Sequence, residues 1–491
     1  MTRNHLVLFL VGMALSIAQF VMIRDFVSIL YGEEVVIVLV TATFFLGLSA
    51  GYLLSLRLSR RWFEWLLAAV VFLHLTFPFS YRALAAWMAR AEVSGYWYLV
   101  LLFCYALLFN TLFAVFLPRL ISVESEAGAD EARRLRVYYG LELAGFMSGF
   151  LVVVFSWVKP FAWLMVPYWF ILGVILHLTL GRRWLTGLYA LAALPVVFNL
   201  QRIDYDTTAR LYRDKHHIRG AVTLYSENSP YQKVEVLRDA SGGLHLYLDG
   251  LQNLNSTNLE GLNYYIAQVP ARLIRPEKAL LIGNGTLSSV PKIYPYCGEL
   301  VTVELDPGVL KAGRLFFTPP EKLRNLERWT LHVDDGKHFL RHSDDKFDLI
   351  VVDVPSPLTV QEAYLHSMEF YALIRDHLTE RGVVAVQLSG PLQRNDRTPA
   401  RVTAALRQVF PQVMAIYSVR ADRGFAYASQ QLPFDGHAVR MAARGYERRL
   451  KVIPPRRVDD YLTRAEPMSV NHMDLVLRRG WERFADRYLN D

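Results

Sequence analysis

Cysteine is scarce in this sequence, which contains two in 491 residues. Cys104 lies inside a hydrophobic run and Cys297 in a stretch of globular composition, so neither a disulfide framework nor a cysteine-rich metal site is indicated. The pair His216-His217 has no third ligand at a useful spacing, which favours a solvated linker. A phosphate loop, a Gly-x-Gly-x-x-Gly fingerprint and a Ser-His-Asp arrangement are also missing. We therefore expect no metal ion and no dinucleotide.

Charged residues are sparse over the first 200 positions and ordinary afterwards. The composition, 53% hydrophobic and 20% charged, averages a region of long apolar runs and a region of globular composition that starts at about residue 201. Many basic residues behind the net charge of +8 border the apolar runs. Such residues set membrane topology and meet anionic headgroups, so we expect a lipid bilayer and no nucleic acid as partner. They are Arg57, Arg60, Arg61, Arg133, Arg134, Arg136, Arg182 and Arg183.

The apolar runs predict an N-terminal multi-span α-helical membrane domain over residues 1–200. A span needs roughly 20 mainly apolar residues. Six segments are persuasive, and a seventh is short and contains Pro195. The first run lacks a small-residue cleavage site and is followed by another run, so we do not expect a removable signal. The segments are 6–23, 35–56, 65–80, 96–117, 137–158, 161–180 and 185–200.

The orientation of these segments follows from their basic loops. Loops 57–61, 119–136 and 182–183 alternate with less basic ones, so the positive-inside rule places the N-terminus in the cytoplasm. Seven full spans would export the C-terminal half, whereas six spans and a seventh segment lying along the membrane would keep it inside. We expect a multi-pass protein of the cell (inner) membrane with a cytoplasmic C-terminal half, because nucleotide-type ligands are found there.

The second half predicts an α/β fold. Residues 201–219 resemble a connector, and short alternating strands separated by turn residues predict a small β-hairpin region over 220–275. Between 276 and 430 apolar strands alternate with helices, which is typical of a Rossmann-like, largely parallel sheet with ligands at the carboxyl ends of its strands. Residues 431–491 are predicted to be helical and basic.

Four predicted strands end in residues suited to a nucleoside. A turn with Gly283, Asn284 and Gly285 lets the backbone approach a ligand closely. Glu304, at the end of the second strand, can accept hydrogen bonds from two ribose hydroxyls. Asp335, which precedes Gly336, could accept one from an adenine amino group, and Asp353 ends the fourth strand. The alternative is that each acid caps a helix or closes a turn; as a set they favour a nucleoside with a cationic tail.

At these residues the sequence resembles the spermidine synthase (polyamine aminopropyltransferase) family, a branch of the class I S-adenosylmethionine methyltransferase fold. The resemblance covers about 221–428, and the first half is similar to that of membrane-bound spermidine synthase-like bacterial proteins. It implies that Gln232 contacts the nucleoside and that Asp353 accepts a proton. The motifs that carry it are 229–236, 248–250, 303–307, 334–336, Asp353 and 369–371.

The departures from the family concentrate on the residues that hold the amine acceptor. Where the family has acids, glutamine or histidine, this sequence has Asn253, Asn263, Tyr264, Thr286 and Ser356. A diamine is a dication whose desolvation must be offset by acids, at ~1.5–3 kcal/mol per charged hydrogen bond. The nucleoside half of the site is therefore kept while the polyamine half is largely lost, so putrescine is not the expected acceptor.

The leading hypothesis is a transferase related to polyamine biosynthesis. It would bind S-adenosylmethionine or its decarboxylated form and move an alkyl, aminopropyl-type group to an apolar, membrane-associated or peptide acceptor. One alternative is a non-catalytic nucleoside sensor on a membrane module, and a second is a true aminopropyltransferase with an altered acceptor site. A third is a transporter with a regulatory domain, whose flux would depend on Glu142 near the start of a span. A homodimer stays an open hypothesis.

Overall fold

The structure is a computed structural model that describes most of the chain. The described residues are 2–31, 34–55, 57–111, 113–116, 118–119, 131–355, 357, 359–472 and 474–489, without the side chains of 131, 132, 475 and 479. Of the predicted site residues, Ser356 lies outside them. The chain divides into two compact units. The first is Met1–Gly242, Leu246–Gln252 and Glu482–Asp491, and the second is Gly243–His245 and Asn253–Trp481.

The first unit is mainly helical. Its helices are α1 (Arg3–Leu30), α2 (Glu34–Ser55), α3 (Arg60–Leu73), α4 (Phe79–Arg90), α5 (Gly95–Asn110), α6 (Glu131–Ser156), α7 (Ala162–Leu180), α8 (Arg183–Phe198) and α9 (Leu200–Lys215). Among the described residues, five segments are long and apolar enough to cross a membrane: Arg3–Leu30, Glu34–Ser55, Gly95–Val115, Arg133–Ser156 and Ala162–Leu180. The helices α8 and α9 meet the same criterion only as a pair bent by 65°.

The prediction of one continuous span over 65–80 is wrong. α3 has 14 residues and ends at Leu73, and α4 has 12 and begins at Phe79. At 1.5 Å per residue each is shorter than the ~30 Å hydrocarbon core. Pro78 has no backbone N–H and disfavours helical backbone at the residue before it, which favours a break between α3 and α4. The break is stabilised from α7, where Trp169 Nε1 donates to the carbonyl of His74 at 2.9 Å.

Residues 201–219, predicted as a connector, contain the helix α9, and a small sheet follows. Its strands β1 (Val222–Asn228), β2 (Lys233–Arg238), β3 (Leu244–Leu248) and β4 (Leu251–Asn255) neighbour one another in chain order. β1 and β2 are antiparallel, with a register shift between Thr223 and Tyr225. The predicted domain boundaries at 200, 219, 275 and 430 stay predictions.

The second unit contains an eight-stranded sheet in the order β12-β10-β11-β9-β8-β5-β6-β7. Its strands are β5 (Lys278–Gly283), β6 (Glu299–Glu304), β7 (Trp329–Val333), β8 (Phe347–Asp353), β9 (Leu378–Gln387), β10 (Gln412–Ser418), β11 (Arg423–Ser429) and β12 (Lys451–Ile453). Its helices are α10 (Ser256–Asn263), α11 (Val269–Ile274), α12 (Val290–Ile293), α13 (Pro307–Ala312), α14 (Gly336–Arg341), α15 (Val360–Tyr364), α16 (Met368–Asp376), α17 (Thr398–Val409), α18 (Gly436–Ala443) and α19 (Pro455–Leu462), and α20 spans Asp474–Tyr488.

The α/β fold predicted for the second half is confirmed, but its sheet is mixed rather than largely parallel. The strands β7, β6, β5, β8 and β9 are parallel, whereas β11, β10 and β12 are antiparallel. The connection from β10 to β11 spans only residues 419–422, which is too short for the crossover that parallel strands need. The predicted all-helical region 431–491 is corrected too, because Lys451–Ile453 forms the edge strand β12.

The alternating side chains of the central strand build two cores. In β5, Leu280 and Ile282 are buried with one apolar cluster, and Ala279 and Leu281 are buried with another. Successive side chains of a strand point to opposite faces, so these clusters lie on the two faces of the sheet. A parallel sheet covered on both faces leaves the carboxyl ends of its strands as the place for a ligand.

Candidate functional site

The turn after β5 is bound to the end of β8. Gly283 has φ +84°, and a Cβ on it would lie 2.4 Å from the backbone oxygen of Asp353. In the next residue the backbone N–H of Asn284 donates to the same oxygen at 3.1 Å. Only glycine combines this backbone conformation with such a close approach. The predicted Gly-rich turn and the predicted catalytic acid are therefore adjacent.

The same turn lies against the end of β6. A Cβ on Gly285 would be 2.5 Å from Val309 Cγ1 and 3.2 Å from the carboxyl carbon of Glu304. The missing side chain therefore brings the backbone close to the acid predicted to bind the ribose. The sequence prediction that these two strand ends converge agrees with this geometry.

Asp353 is half-buried and has one polar side-chain partner among the described residues. Its Oδ2 accepts from Asn284 Nδ2 at 2.7 Å, and Asn284 Oδ1 accepts from the backbone of Ser289 at 2.9 Å, which fixes the orientation of the amide. Burial raises the pKa of Asp353 to about 6, although the hydrogen bond from Asn284 opposes the rise.

Glu304 is 9% exposed. Burial raises its pKa to about 7, the hydrogen bond from the backbone N–H of Asp306 at 3.0 Å opposes the rise, and the charges of Asp306 and Asp353 add to it. Among the described residues no lysine, arginine or histidine forms an ion pair with Glu304 or Asp353. Two neighbouring carboxyl groups are therefore held where their charged forms are disfavoured.

Asp335 combines a position at this edge with a structural role. Its Oδ1 accepts from the backbone of Lys337 at 2.8 Å and of His338 at 3.0 Å, so it caps α14, as the alternative interpretation of the acids proposed. A Cβ on Gly336 would lie 2.6 Å from Ile282 Cγ2 of β5. The nucleoside role of Asp335 stays a prediction, and one oxygen is already engaged by the helix.

Two of the predicted acceptor residues lie at the turn. Thr286 is buried and its hydroxyl is 2.7 Å from the hydroxyl of Ser288. Asn263, buried at the end of α10, accepts from the hydroxyl of Ser289 at 2.9 Å. These contacts bring α10 and the Gly-rich turn together, and the positions expected to hold an acid and a histidine in the family hold neutral side chains, each bonded to a serine.

The remaining predicted residues are placed differently. The hydroxyl of Tyr264 donates to the carbonyl of Ala442 at 2.6 Å, and its ring stacks on Tyr446 at 4.7 Å, so it packs against the region of α18. Asn253 is half-buried in β4. Gln232 belongs to the first unit, where its backbone N–H donates to the Ser229 hydroxyl at 3.0 Å. Its contact with the nucleoside stays a prediction.

Comparison with known proteins covers the second half. The model of the spermine/spermidine synthase domain family matches residues 261–420. The polyamine aminopropyltransferase of Alkaliphilus metalliredigens is 30% identical over 203 residues, 40% of this chain and 70% of the relative. The chain belongs to the spermidine synthase-like family. The polyamine aminopropyltransferase of Oceanobacillus iheyensis is 25% identical over 325 residues, 59% of each chain. Spermidine synthase from Thermotoga maritima, a solved structure, aligns with 49% of this chain and 84% of its own at 20% identity, with a TM-score of 0.39.

Family membership confirms the resemblance seen in the motifs, and the relatives are transferases by name. The chain spans 59% of the Oceanobacillus relative and 35% of polyamine aminopropyltransferase 2 from Aquifex aeolicus. The activity of this spermidine synthase-like chain therefore has to be argued from its own site.

Sequence reasoning missed three polar residues of the site in this family member. Ser288 and Ser289 bond Thr286 and Asn263, and their position directly after the Gly-rich turn was an available signal. His366 is buried, with Nε2 2.9 Å from the carbonyl of Pro355, close to the end of β8. Burial lowers its pKa to about 4, so the imidazole is neutral and donates to that carbonyl. No sequence signal distinguished His366 from a core histidine.

Proposed function

We propose that the second unit binds S-adenosylmethionine or its decarboxylated form and transfers an aminopropyl-type alkyl group. The observation that carries this is the pair of neighbouring carboxyl groups, buried Glu304 and half-buried Asp353, beside a turn that only glycine fits, with no ion pair to a basic side chain among the described residues. A sulfonium nucleoside brings the missing positive charge and two ribose hydroxyls. Aminopropyl transfer is what the names of the relatives state.

In this proposal each group has a separate task. Glu304 accepts hydrogen bonds from the ribose hydroxyls, and Asp335 accepts from adenine with the oxygen that does not cap α14. The acceptor attacks the carbon bonded to the sulfonium sulfur, the carbon–sulfur bond breaks, and its electron pair stays on sulfur as methylthioadenosine leaves. Asp353 takes the proton that the acceptor loses. By resemblance, Gln232 contacts the nucleoside.

The acceptor is proposed to be less charged than putrescine. Thr286 and Asn263 are neutral and bonded to neighbouring serines, so they offer a second ammonium group no compensating charge. A dication would lose its hydration there without full replacement. An apolar or peptide amine loses less, which suits a chain whose first unit carries long apolar helices.

The test is product formation by the full-length protein in detergent. The protein is incubated with each nucleoside and with putrescine, a long-chain monoamine or a peptide amine. Release of methylthioadenosine with the monoamine or peptide supports the proposal, and Asp353→Asn is the matched control. Absence of methylthioadenosine and S-adenosylhomocysteine under every condition overturns transfer, whereas spermidine from putrescine overturns only the acceptor.

A nucleoside sensor is the second candidate function. It is favoured by the hydrogen bond from Asn284, which occupies Oδ2 of Asp353 and lowers its basicity. A sensor predicts tight nucleoside binding without turnover, and the same affinity in Asp353→Asn. Calorimetry on the two proteins distinguishes it from the enzyme.

We also propose that the first unit crosses the cell membrane several times. Its five long apolar segments expose large side chains that a bilayer would cover, among them Phe155 and Phe170, each 71% exposed. The starts of α1 and α3 and the end of α7 share one end, because Arg3 Nη2 donates to the carbonyl of Thr179 and Arg182 pairs with Glu64, each at 2.9 Å. The basic loops 57–61 and 182–183 lie there.

The β1–β2 hairpin is attached at the opposite end of α1. Ser28 donates to Glu235 at 2.9 Å, and Arg24 donates to the carbonyl of Tyr231 at 2.8 Å. With the arginine-rich end in the cytoplasm, as the positive-inside rule requires, the hairpin lies on the other side. This arrangement opposes the cytoplasmic location predicted from the sequence for the C-terminal half, and we propose the non-cytoplasmic side for the hairpin.

Cysteine labelling in sealed right-side-out vesicles tests the orientation. Ser241→Cys, in the exposed turn between β2 and β3 of the same small sheet, is expected to react with a membrane-impermeant maleimide, and Arg61→Cys at the arginine-rich end only after lysis. The reverse pattern restores the cytoplasmic placement. Light scattering on the protein purified in detergent tests the homodimer.

A further inference from the structure

The cytoplasmic end of the proposed membrane unit contains a basic cleft of about 470 Å³ between the starts of α1 and α6. Arg3, His5, Arg133, Arg134 and Tyr138 line it. The contacts that form it lie within the first unit, where the His5 ring meets Tyr138 edge-on at 5.5 Å. Three arginines around one cleft repel one another unless an anion joins them.

One of these arginines has an unmet donor. Nη1 of Arg134 is buried and finds no hydrogen-bond partner among the described residues. A buried charged donor without an acceptor is costly, so an acceptor for this group would be stabilising. Arg3 contributes charge while its Nη2 is bonded to Thr179.

The N-terminus of α1 adds to the positive electrostatic potential of the cleft. α1 has 28 residues and begins at this cleft, with Thr2 as its cap. The positive end of the helix dipole favours an anion there. A tetrahedral phosphate group fits this set better than a carboxylate, because its oxygens can accept from several arginines at once.

Apolar side chains beside the cleft indicate that the phosphate group belongs to a lipid. Leu135, Val137 and Tyr139, on the same first turns of α6, are 48%, 45% and 50% exposed. They offer a surface for acyl chains beside the basic groups, as a lipid requires and a free phosphate does not. We propose that this cleft binds the phosphate headgroup of an anionic membrane lipid at the cytoplasmic face.

The proposal rests on the membrane location of the first unit and is independent of the transferase. The full-length protein is purified in detergent, stripped of lipid and titrated with short-chain phosphatidylglycerol, phosphatidylcholine of equal chain length, or inorganic phosphate. Phosphatidylglycerol is expected to bind at least tenfold more tightly than the other two. Equal affinity for the two lipids overturns the proposal, and inorganic phosphate binding as tightly as the lipid overturns the lipid source.

Variants connect the binding to Arg134. Loss of one charged hydrogen bond in Arg134→Gln is expected to weaken phosphatidylglycerol binding by about tenfold. Arg134→Lys keeps the charge and is expected to lose less. Arg210→Gln, an exposed arginine on α9, is the matched control and is expected to bind like the unmodified protein. Equal effects of Arg134→Gln and Arg210→Gln, in variants with unchanged melting temperature, contradict the site. Loss of transferase activity has no bearing on this result.

Discussion

Both units contain acidic side chains removed from solvent, but only those of the first unit are paired with basic side chains among the described residues. In the first unit Asp25 accepts from Arg82 Nε at 2.9 Å and from Lys233 Nζ at 3.0 Å, and Lys233 also pairs with Glu235 at 2.9 Å. All four side chains are almost completely buried. In the second unit Glu304 and its neighbour Asp353 form no ion pair with a lysine, arginine or histidine among the described residues.

We interpret the difference as one between acids that hold a fold and acids that, in the proposed function, bind a ligand. Buried charges of opposite sign satisfy one another, and removing one partner leaves the other exposed to an apolar environment. An unpaired buried acid instead shifts its pKa toward neutrality, and such shifts gather at functional sites. The first unit's acids thus join α1 and α4 to β2, while Glu304 and Asp353 can be neutralised by a cationic substrate.

The largest effect is expected for Asp353→Asn. The substitution keeps the shape of the side chain but removes the proton acceptor, so kcat should fall by about 100- to 10,000-fold. Nucleoside affinity should change much less. Methylthioadenosine release and calorimetry measure the two quantities. Unchanged turnover would show that Asp353 is not the proton acceptor and has a structural role.

Arg82→Met tests the compensated acids. It leaves Asp25 and Asp204 buried beside one cation fewer, which should destabilise the first unit by about 3–5 kcal/mol. Thermal unfolding in detergent measures the loss. Arg202→Met, at an arginine whose side chain is 80% exposed, serves as the control and should change the stability little. If both variants melt alike, the buried network contributes no stability.

Glu304→Gln tests the uncompensated acid. It should weaken binding of the sulfonium nucleoside by about 10- to 100-fold, the loss of one charged hydrogen-bonded contact. The ligand-free protein should not lose stability near pH 7, because a neutral side chain replaces one whose charge is disfavoured there. Calorimetry and thermal unfolding measure the two effects. A variant that unfolds like Arg82→Met contradicts the distinction between the units.

Much of the nucleoside edge was predictable because its signals are local. The apolar run of β5 ends in Gly283, and β6 and β8 end in Glu304 and Asp353, so parallel strands had to bring these residues to one edge. Asp335 shows the limit of this reasoning. An acid before a glycine and a helix suits a cap and a ligand equally, and its Oδ1 serves the cap.

The residues that sequence reasoning misplaced depend on distant contacts. Tyr264 packs on Tyr446, and β12 pairs with β10, contacts that no local pattern encodes. The segment 65–80 was misjudged for a similar reason. Its composition is apolar enough for a span, but Trp169 of another helix stabilises the break before Pro78.

The smallest and most diagnostic prediction concerns pH. The pKa values of Glu304 and Asp353, about 7 and about 6, lie above the ordinary values of 4.5 and 3.8, so both groups gain charge as the pH rises from 5.5 to 8. Binding of decarboxylated S-adenosylmethionine should therefore strengthen over this range, by up to about tenfold per pH unit below each pKa. Methylthioadenosine has no sulfonium charge, and its binding should vary much less.

The same shifts predict the opposite slope for stability without ligand. The folded protein keeps these protons at pH values where the unfolded chain has lost them, so the free energy of unfolding should fall as pH rises from about 4 to about 7 and then level off. Glu304→Gln should flatten about half of this fall, and Asp353 accounts for the rest. Parallel pH profiles for the cationic and the neutral nucleoside would contradict a site built around an unpaired negative charge, because only the cation gains from ionisation of the two acids.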